Sequence, residues 1–237
     1  MSFKNQIRAL LFDTFGTVVD WRSSLIEACG RFGQTRQLKA DWEQLVTRWR
    51  TAYEPSMDKV RKGQLPWTVL DELHRAALLE LVPEFHPDGL SDDDIDFLTK
   101  LWHQLNPWPD VPHGLARLKE HFLIGPLSNG NYSLMVELNK FAGLGWDFVL
   151  GADLFRHYKP DPEPYLGACS LLDLPPAQVM LVAAHNYDLH AARALGLHTA
   201  FVARPTEYGP AQSKDLQPDG PWDILAKDFR DLAAQLS

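Results

Sequence analysis

Short apolar runs recur along the chain, and helical patterns separate the later ones. The runs at 7–13 (IRALLFD), 122–129 (FLIGPLSN), 146–153 (WDFVLGAD), 179–185 (VMLVAAH) and 199–204 (TAFVAR) are nearly continuous in hydrophobicity. That is the pattern of strands buried on both faces. Helical spacing is found at 131–143, 162–172 and 187–195. Strand alternating with helix predicts a parallel sheet covered on both sides, an α/β core of Rossmann-like type.

Between the first two runs lies a long stretch of another kind. Residues 23–33, 40–63, 67–82 and 91–105 carry apolar side chains three and four apart, which predicts helices. Ser91 followed by three aspartates is a helix start with acids in its first turn, and its charge reads as a solvated face. Six of the eight tryptophans, Trp21 through Trp108, fall in or beside this stretch, so it has an apolar interior of its own. The predicted organisation is a core of 1–20 and 108–237 with a helical cap, 21–107, inserted after the first strand. A cleft between two such units is a common ligand site.

Composition narrows the possibilities. With 237 residues, 45% of them hydrophobic, the chain can bury a substantial core. A net charge of −8 with no basic run argues against nucleic acid or an anionic membrane surface as a partner. The two cysteines, Cys29 and Cys169, have no metal-binding spacing and suit a reducing compartment. The N-terminal apolar run is too short for a signal peptide, and no stretch reaches the roughly 18 apolar residues of a membrane span. These features predict a soluble, cytoplasmic protein.

Ligands of an open parallel sheet bind beyond the carboxyl ends of its strands. The first run ends on Asp13, followed by Thr14 and, after a turn, Thr17. The second ends in LSNGN, with Ser128 and Asn129. The third leads to HYKPDPEPY, with Lys159 and Tyr165. The fourth ends in AAHNYD, with His185, Asn186 and Asp188. Singly, each reads as well as a helix cap or a turn. Together they supply a carboxylate that can act as a covalent nucleophile, a lysine to keep it ionised, and hydrogen-bonding groups for an anion.

The motifs FDTFGTVVDW, LSNGN, YKPDPEPY and VAAHNYDLHAARALGL, in that order and over almost the whole chain, resemble the haloacid dehalogenase superfamily. The likeness is to its type II 2-haloacid dehalogenase branch. Phosphatases of that superfamily have a second aspartate two residues after the nucleophile, which protonates an alkoxide leaving group. Here that residue is Phe15, and a halide needs no proton. Phosphatases also have a metal-binding acid where this chain has Ala184. The resemblance therefore implies metal-independent, cofactor-free hydrolysis of short (S)-2-haloalkanoic acids through an aspartyl ester. Chloro- and bromoacids come first, with fluoroacetate within its range.

The resemblance also implies a role for each residue. Asp13 attacks the halogen-bearing carbon. Arg50, on a cap helix after Trp49, holds the departing halide with Asn129. Thr17 and Lys159 orient Asp13. Ser128 and the main chain at Thr14 and Phe15 bind the substrate carboxylate. Asp188 and Lys159 position the hydrolytic water, and Tyr165 supports them. The chain departs from the branch at Ala183, Ala184 and His185, where its members read Ser-Ser-Asn, and at Tyr187, where a tryptophan is common. His185 is then either a proton acceptor near neutral pH or a neutral, hydrogen-bonded side chain. His185 and His190, five apart, do not form a zinc pair. The loop 204–223 is rich in Pro and Gly and is assigned no chemistry. A small-molecule substrate is the expected partner, and the branch implies a homodimer. Two other readings remain: a phosphatase-like hydrolase of the same superfamily, and a catalytically idle binding member.

Overall fold

The computed structural model describes residues 3–85 and 90–237. Residues 1, 2 and 86–89, within the ranges assigned to core and cap, lie outside the described residues. Six parallel strands form one sheet among the described residues: β1 (Ala9–Phe12), β2 (Leu123–Ser128), β3 (Leu150–Gly151), β4 (Val179–Ala183), β5 (His198–Val202) and β6 (Ile224–Ala226). Their order is β3-β2-β1-β4-β5-β6. β1 is therefore central. Its Leu10 pairs with Ile124 of β2 on one side and Met180 of β4 on the other. All four residues of β1 are buried, as continuous hydrophobicity requires when both faces are covered. The chain builds outward from β1 in one direction and then, from β4, in the other. The switch between β1 and β4 is where an open sheet leaves a crevice at its carboxyl edge.

Among the described residues five α-helices lie between β1 and the core helix α6 (Val111–Lys119): α1 (Trp21–Arg36), α2 (Trp42–Thr51), α3 (Tyr53–Arg61), α4 (Leu70–Phe85) and α5 (Asp92–Lys100). The single helix expected over 40–63 is broken at Ala52. Pro55 has no N–H for the Thr51 carbonyl four residues back, so the ladder lapses there. Ser91 caps α5 as its sequence foretells. Its Oγ accepts from Asp94 N at 3.2 Å, and Asp94 Oδ2 accepts from Ser91 N at 3.3 Å. The core is completed by α7 (Tyr132–Ala142), α8 (Pro162–Leu171), α9 (Asn186–Ala194) and α10 (Phe229–Leu236).

Three elements lie outside the sequence expectation: α6, β6 and α10. Three residues of β6 are too few to show a period. The run expected as a strand over 146–153 pairs only at Leu150 and Gly151, alongside Leu127 and Ser128.

An aromatic cluster joins the inserted helices to the end of β1. Trp102 is completely buried. Its ring stacks on His74 at 4.2 Å between centroids and meets Trp49 and Phe15 edge-on at 5.6 and 5.7 Å. Such pairs add to the area they bury, and the site for this ring is already full. Trp102→Ala is expected to lower unfolding free energy by about 3–5 kcal/mol. Denaturant titration checks this, with the midpoint falling and the slope unchanged.

Candidate active site

Asp13 follows β1 directly, its N–H donating to Val182 O at 3.0 Å. The chain then turns sharply. Thr14 O accepts from Val18 N and Val19 N at 2.9 and 3.1 Å, and Gly16 adopts φ +88°. A side chain at 16 would be strained by that angle and would also run into the Glu207 carboxylate, 2.1 Å from an added Cβ. The turn returns Thr17 to the nucleophile position. Its Oγ1 donates to Asp13 Oδ2 at 2.7 Å and accepts from Ala184 N at 2.8 Å. One hydroxyl thus locks the end of β1 to the end of β4.

Lys159 reaches Asp13 from the segment before α8. Its backbone N–H donates to Asn129 Oδ1 at 2.7 Å, and Asn129 Nδ2 returns a long contact of 3.4 Å to Lys159 O. The ammonium donates to Asp13 Oδ1 at 3.0 Å and to Asp188. Asp188 sits on α9 with no solvent exposure and also accepts from the Tyr165 hydroxyl. Burial opposes charge on all three ionisable groups. At Asp13 it is outweighed by Lys159 and His185, which hold the carboxyl well below the usual carboxylate range. At Lys159 it is outweighed by Asp13 and Asp188, which raise the ammonium pKa. At Asp188 burial prevails, helped by repulsion from Asp13, and the pKa is raised.

His185 corrects both sequence expectations made for it. Its Nδ1 lies 2.8 Å from Asp13 Oδ2 and its Nε2 lies 2.9 Å from Glu207 Oε2. Asp13 and Glu207 are both held below their ordinary carboxyl range, and an ionised carboxylate only accepts, so both ring nitrogens donate and the ring is an imidazolium. Burial disfavours that charge, but Glu207 and Asp13 override it and push the pKa up to about 10. The ring is neither neutral nor free to accept a proton near pH 7.

Glu207 corrects the reading of the loop 204–223 as chemically empty. Its carboxylate is buried, accepts from Trp21 Nε1 at 3.0 Å and holds His185. The loop is fixed at both ends. Arg204 forks onto Asp110, both contacts at 2.9 Å, and its Nε donates to Thr17 O at 2.9 Å. Asn186 Nδ2 donates to Asp215 Oδ1 and to Gln217 O, both at 3.0 Å. One signal was available in the sequence: an acid just past the carboxyl end of a core strand, where ligand sites form. The Pro and Gly around it hid that signal.

A cavity of about 470 Å³ opens beside these groups. Its lining includes Arg50 and Tyr53 from the inserted helices, Lys159 and His185 from the core, and Tyr187 and Tyr208. Asp13 touches Lys159 and His185 and keeps a tenth of its side chain exposed. The Arg50 guanidinium lies 4.0 Å from the Tyr53 ring centroid and 5.4 Å from that of Trp21. Its Nε has no hydrogen-bond partner among the described residues. Burial works against the Arg50 charge, but Tyr208, Tyr53 and Glu207 around it raise its pKa.

Thr14 Oγ1 is buried without a partner among the described residues, and Ser128 Oγ accepts from Gly130 N at 3.1 Å. Phe15 is buried and packs edge-on against Tyr53 and Trp102. Tyr165, expected among the binding residues, is completely buried with its hydroxyl on Asp188, so it is not part of the cavity wall. Asn129 is also buried, and its carbonyl oxygen serves the Lys159 backbone.

Residues 7–196 match the haloacid dehalogenase-like hydrolase family. The (S)-2-haloacid dehalogenase 4A of Burkholderia cepacia is 29% identical over 97% of this chain and 99% of that protein. The crystal structure of an L-2-haloacid dehalogenase is 54% identical with a TM-score of 0.95, covering 97% of this chain and 98% of that one. A defluorinating L-2-haloacid dehalogenase is 49% identical with a TM-score of 0.94, covering 97% and 95%. The buried aspartate at the end of the central strand, its lysine partner and the second aspartate all fall within the matched stretch. The chain belongs to the haloacid dehalogenase-like hydrolase family.

Proposed function

We propose that the protein hydrolyses short (S)-2-haloalkanoic acids, with Asp13 as nucleophile and an aspartyl ester as intermediate. The observation that carries this reading is a buried carboxylate held ionised beside a cavity lined by an arginine whose Nε is unpartnered. Among the described residues Asp13 Oδ2 accepts from Thr17 and His185, whereas Oδ1 accepts only from Lys159. Oδ1 is the less encumbered oxygen and attacks the halogen-bearing carbon. The new C–O bond forms as the C–X bond breaks, and the halide leaves with the electron pair toward Arg50. The Asn129 amide, beside the Tyr53 hydroxyl, turns toward the halide while its carbonyl keeps Lys159 in position. Thr14, Ser128 and the main chain at Phe15 receive the substrate carboxylate, and the unpartnered Thr14 hydroxyl supports this.

Esterification removes one of the two anions that hold Lys159 charged. The Lys159 proton then passes to Asp188, whose complete burial disfavours its anionic form. The free amine takes a proton from water as the water oxygen bonds to Asp13 Cγ. Collapse breaks the Cγ–Oδ1 bond. Oδ1 departs as the hydroxyl of the product with a proton from Lys159, which Asp188 restores. The second water proton goes to solvent, because Asp13 returns to its ionised form.

The inserted helices 21–107 act as a cap in this reading, since Arg50 and Tyr53 face Lys159 and His185 across the cavity. A phosphatase reading is disfavoured by Phe15, an apolar ring packed where a leaving alkoxide would need an acid. Among the described residues no helix is long and apolar enough to cross a membrane. The two buried free thiols support a cytoplasmic location, and the assembly proposed is a homodimer.

With EDTA present, purified protein is expected to release halide from chloroacetate and from (S)- but not (R)-2-chloropropionate. Fluoride release from fluoroacetate extends the range, and Asp13→Asn reduces all release to background. Halide electrodes read each arm. Turnover of phosphate esters with Mg²⁺ but of no haloacid would overturn the reading. Arg50→Gln is expected to lower kcat by about 10²–10³, the usual cost of removing a preorganised charge from a leaving or developing anion. Rate measured against pH should show no loss near pH 4 attributable to Asp13. Its depressed pKa keeps it ionised through the range where an ordinary carboxylate, at about 3.9, gains its proton.

A further inference from the structure

We propose that the His185 imidazolium and the Thr17 hydroxyl form the oxyanion site for hydrolysis of the Asp13 ester, with Glu207 as the positioning residue that keeps His185 in that role. This rests on the dehalogenase reading above. The two donors converge on one atom, Asp13 Oδ2, at 2.8 and 2.7 Å. When Oδ1 attacks the substrate, Oδ2 becomes the carbonyl oxygen of the ester. Water attack on Cγ moves the carbonyl electron pair onto Oδ2, which then carries a full negative charge. Collapse returns the pair to the Cγ–Oδ2 bond as Cγ–Oδ1 breaks. Donors already in place on Oδ2 strengthen as that charge grows, which stabilises the transition state more than the ester.

Glu207 has a role specific to this second step. In the resting enzyme His185 faces two carboxylates, Asp13 and Glu207. In the ester Asp13 is neutral, so Glu207 alone is left to keep the ring charged. Its carboxylate is steadied from the other side by Trp21 Nε1 at 3.0 Å, and Arg50 and Tyr208 also bear on it. The remaining groups near His185 are Lys159, beyond Asp13, and Tyr187, whose ring centroid lies 5.9 Å away. Within this set Glu207 is the one anion that the reaction does not consume.

The test separates the two chemical steps. Glu207→Gln, mixed rapidly with chloroacetate, is expected to release one chloride per site at nearly the wild-type rate. It then turns over about 10²–10³ more slowly, with the glycolyl ester on Asp13 accumulating in intact mass spectra. That slow phase should weaken further as pH rises through neutrality, since His185 loses its proton more readily without Glu207. Glu207→Asp should restore part of the rate and the flat profile. A second measurement needs no variant: in the wild type, the ester should accumulate as pH is raised and His185 loses its proton, at a pH below the value of about 10 that Asp13 and Glu207 together set in the resting enzyme. If Glu207→Gln slows the chloride burst as much as turnover and no ester builds up, or if its pH profile matches the wild type, the inference is overturned. Absence of halide release from the wild type would instead overturn the dehalogenase reading itself.

Discussion

Six charged side chains share this cleft, and it tolerates them because their signs alternate. Asp188, Lys159, Asp13, His185 and Glu207 are joined in sequence by hydrogen bonds, and Arg50 adjoins the last of them. Each interior member touches two partners of opposite sign. An isolated charge buried this deeply would shed its ionisation, since desolvation costs several kcal/mol per ion. For Lys159, Asp13 and His185 the desolvation is offset twice, whereas Asp188, at the end of the string, keeps a raised pKa. The fold serves that arrangement: β1 delivers Asp13, β4 delivers His185 and Asp188, and the strand order makes the two neighbours. Thr17 ties them by bonding to Asp13 and Ala184 together.

Much of this was legible in the sequence because it lies at strand ends. Continuous apolar runs reveal buried strands, and the residues just past their carboxyl ends are where chemistry collects. Asp13, Thr17, Lys159, His185 and Asp188 are all found that way, and all fall within one network. Tyr165 was also visible, but its period on α8 says only that it is buried, not that its hydroxyl serves Asp188. The ring of His185 was visible and its charge was not. Protonation depends on Glu207, twenty-two residues further on in a loop without period. Sequence pattern reports local repetition, and a loop anchored by Arg204 and Asn186 has none.

The helical elements show the same division. The Ser91 start was readable because a cap is a local device. The break at Ala52 was readable in principle from Pro55 yet is masked by an apolar period that runs unbroken through it. Phe15 illustrates a different gain. As a missing acid it is a negative signal. In three dimensions it is also a packing residue, its ring edge-on to Tyr53 and Trp102, so the position that lost a proton donor became part of the seam with the inserted helices.

The alternation of charge has an evolutionary consequence. Positions 185 and 207 cannot drift independently. A histidine arriving at 185 without an acid at 207 would add a second base beside the nucleophile, and an acid at 207 without the histidine would be a buried anion facing Asp13. Gly16 belongs to the same unit, because any side chain there displaces Glu207. Transplanting His185 into a relative that has asparagine at that position therefore requires the whole 204–223 segment and the glycine turn to move with it. The unit of inheritance at this site is a set of residues drawn from three distant parts of the chain.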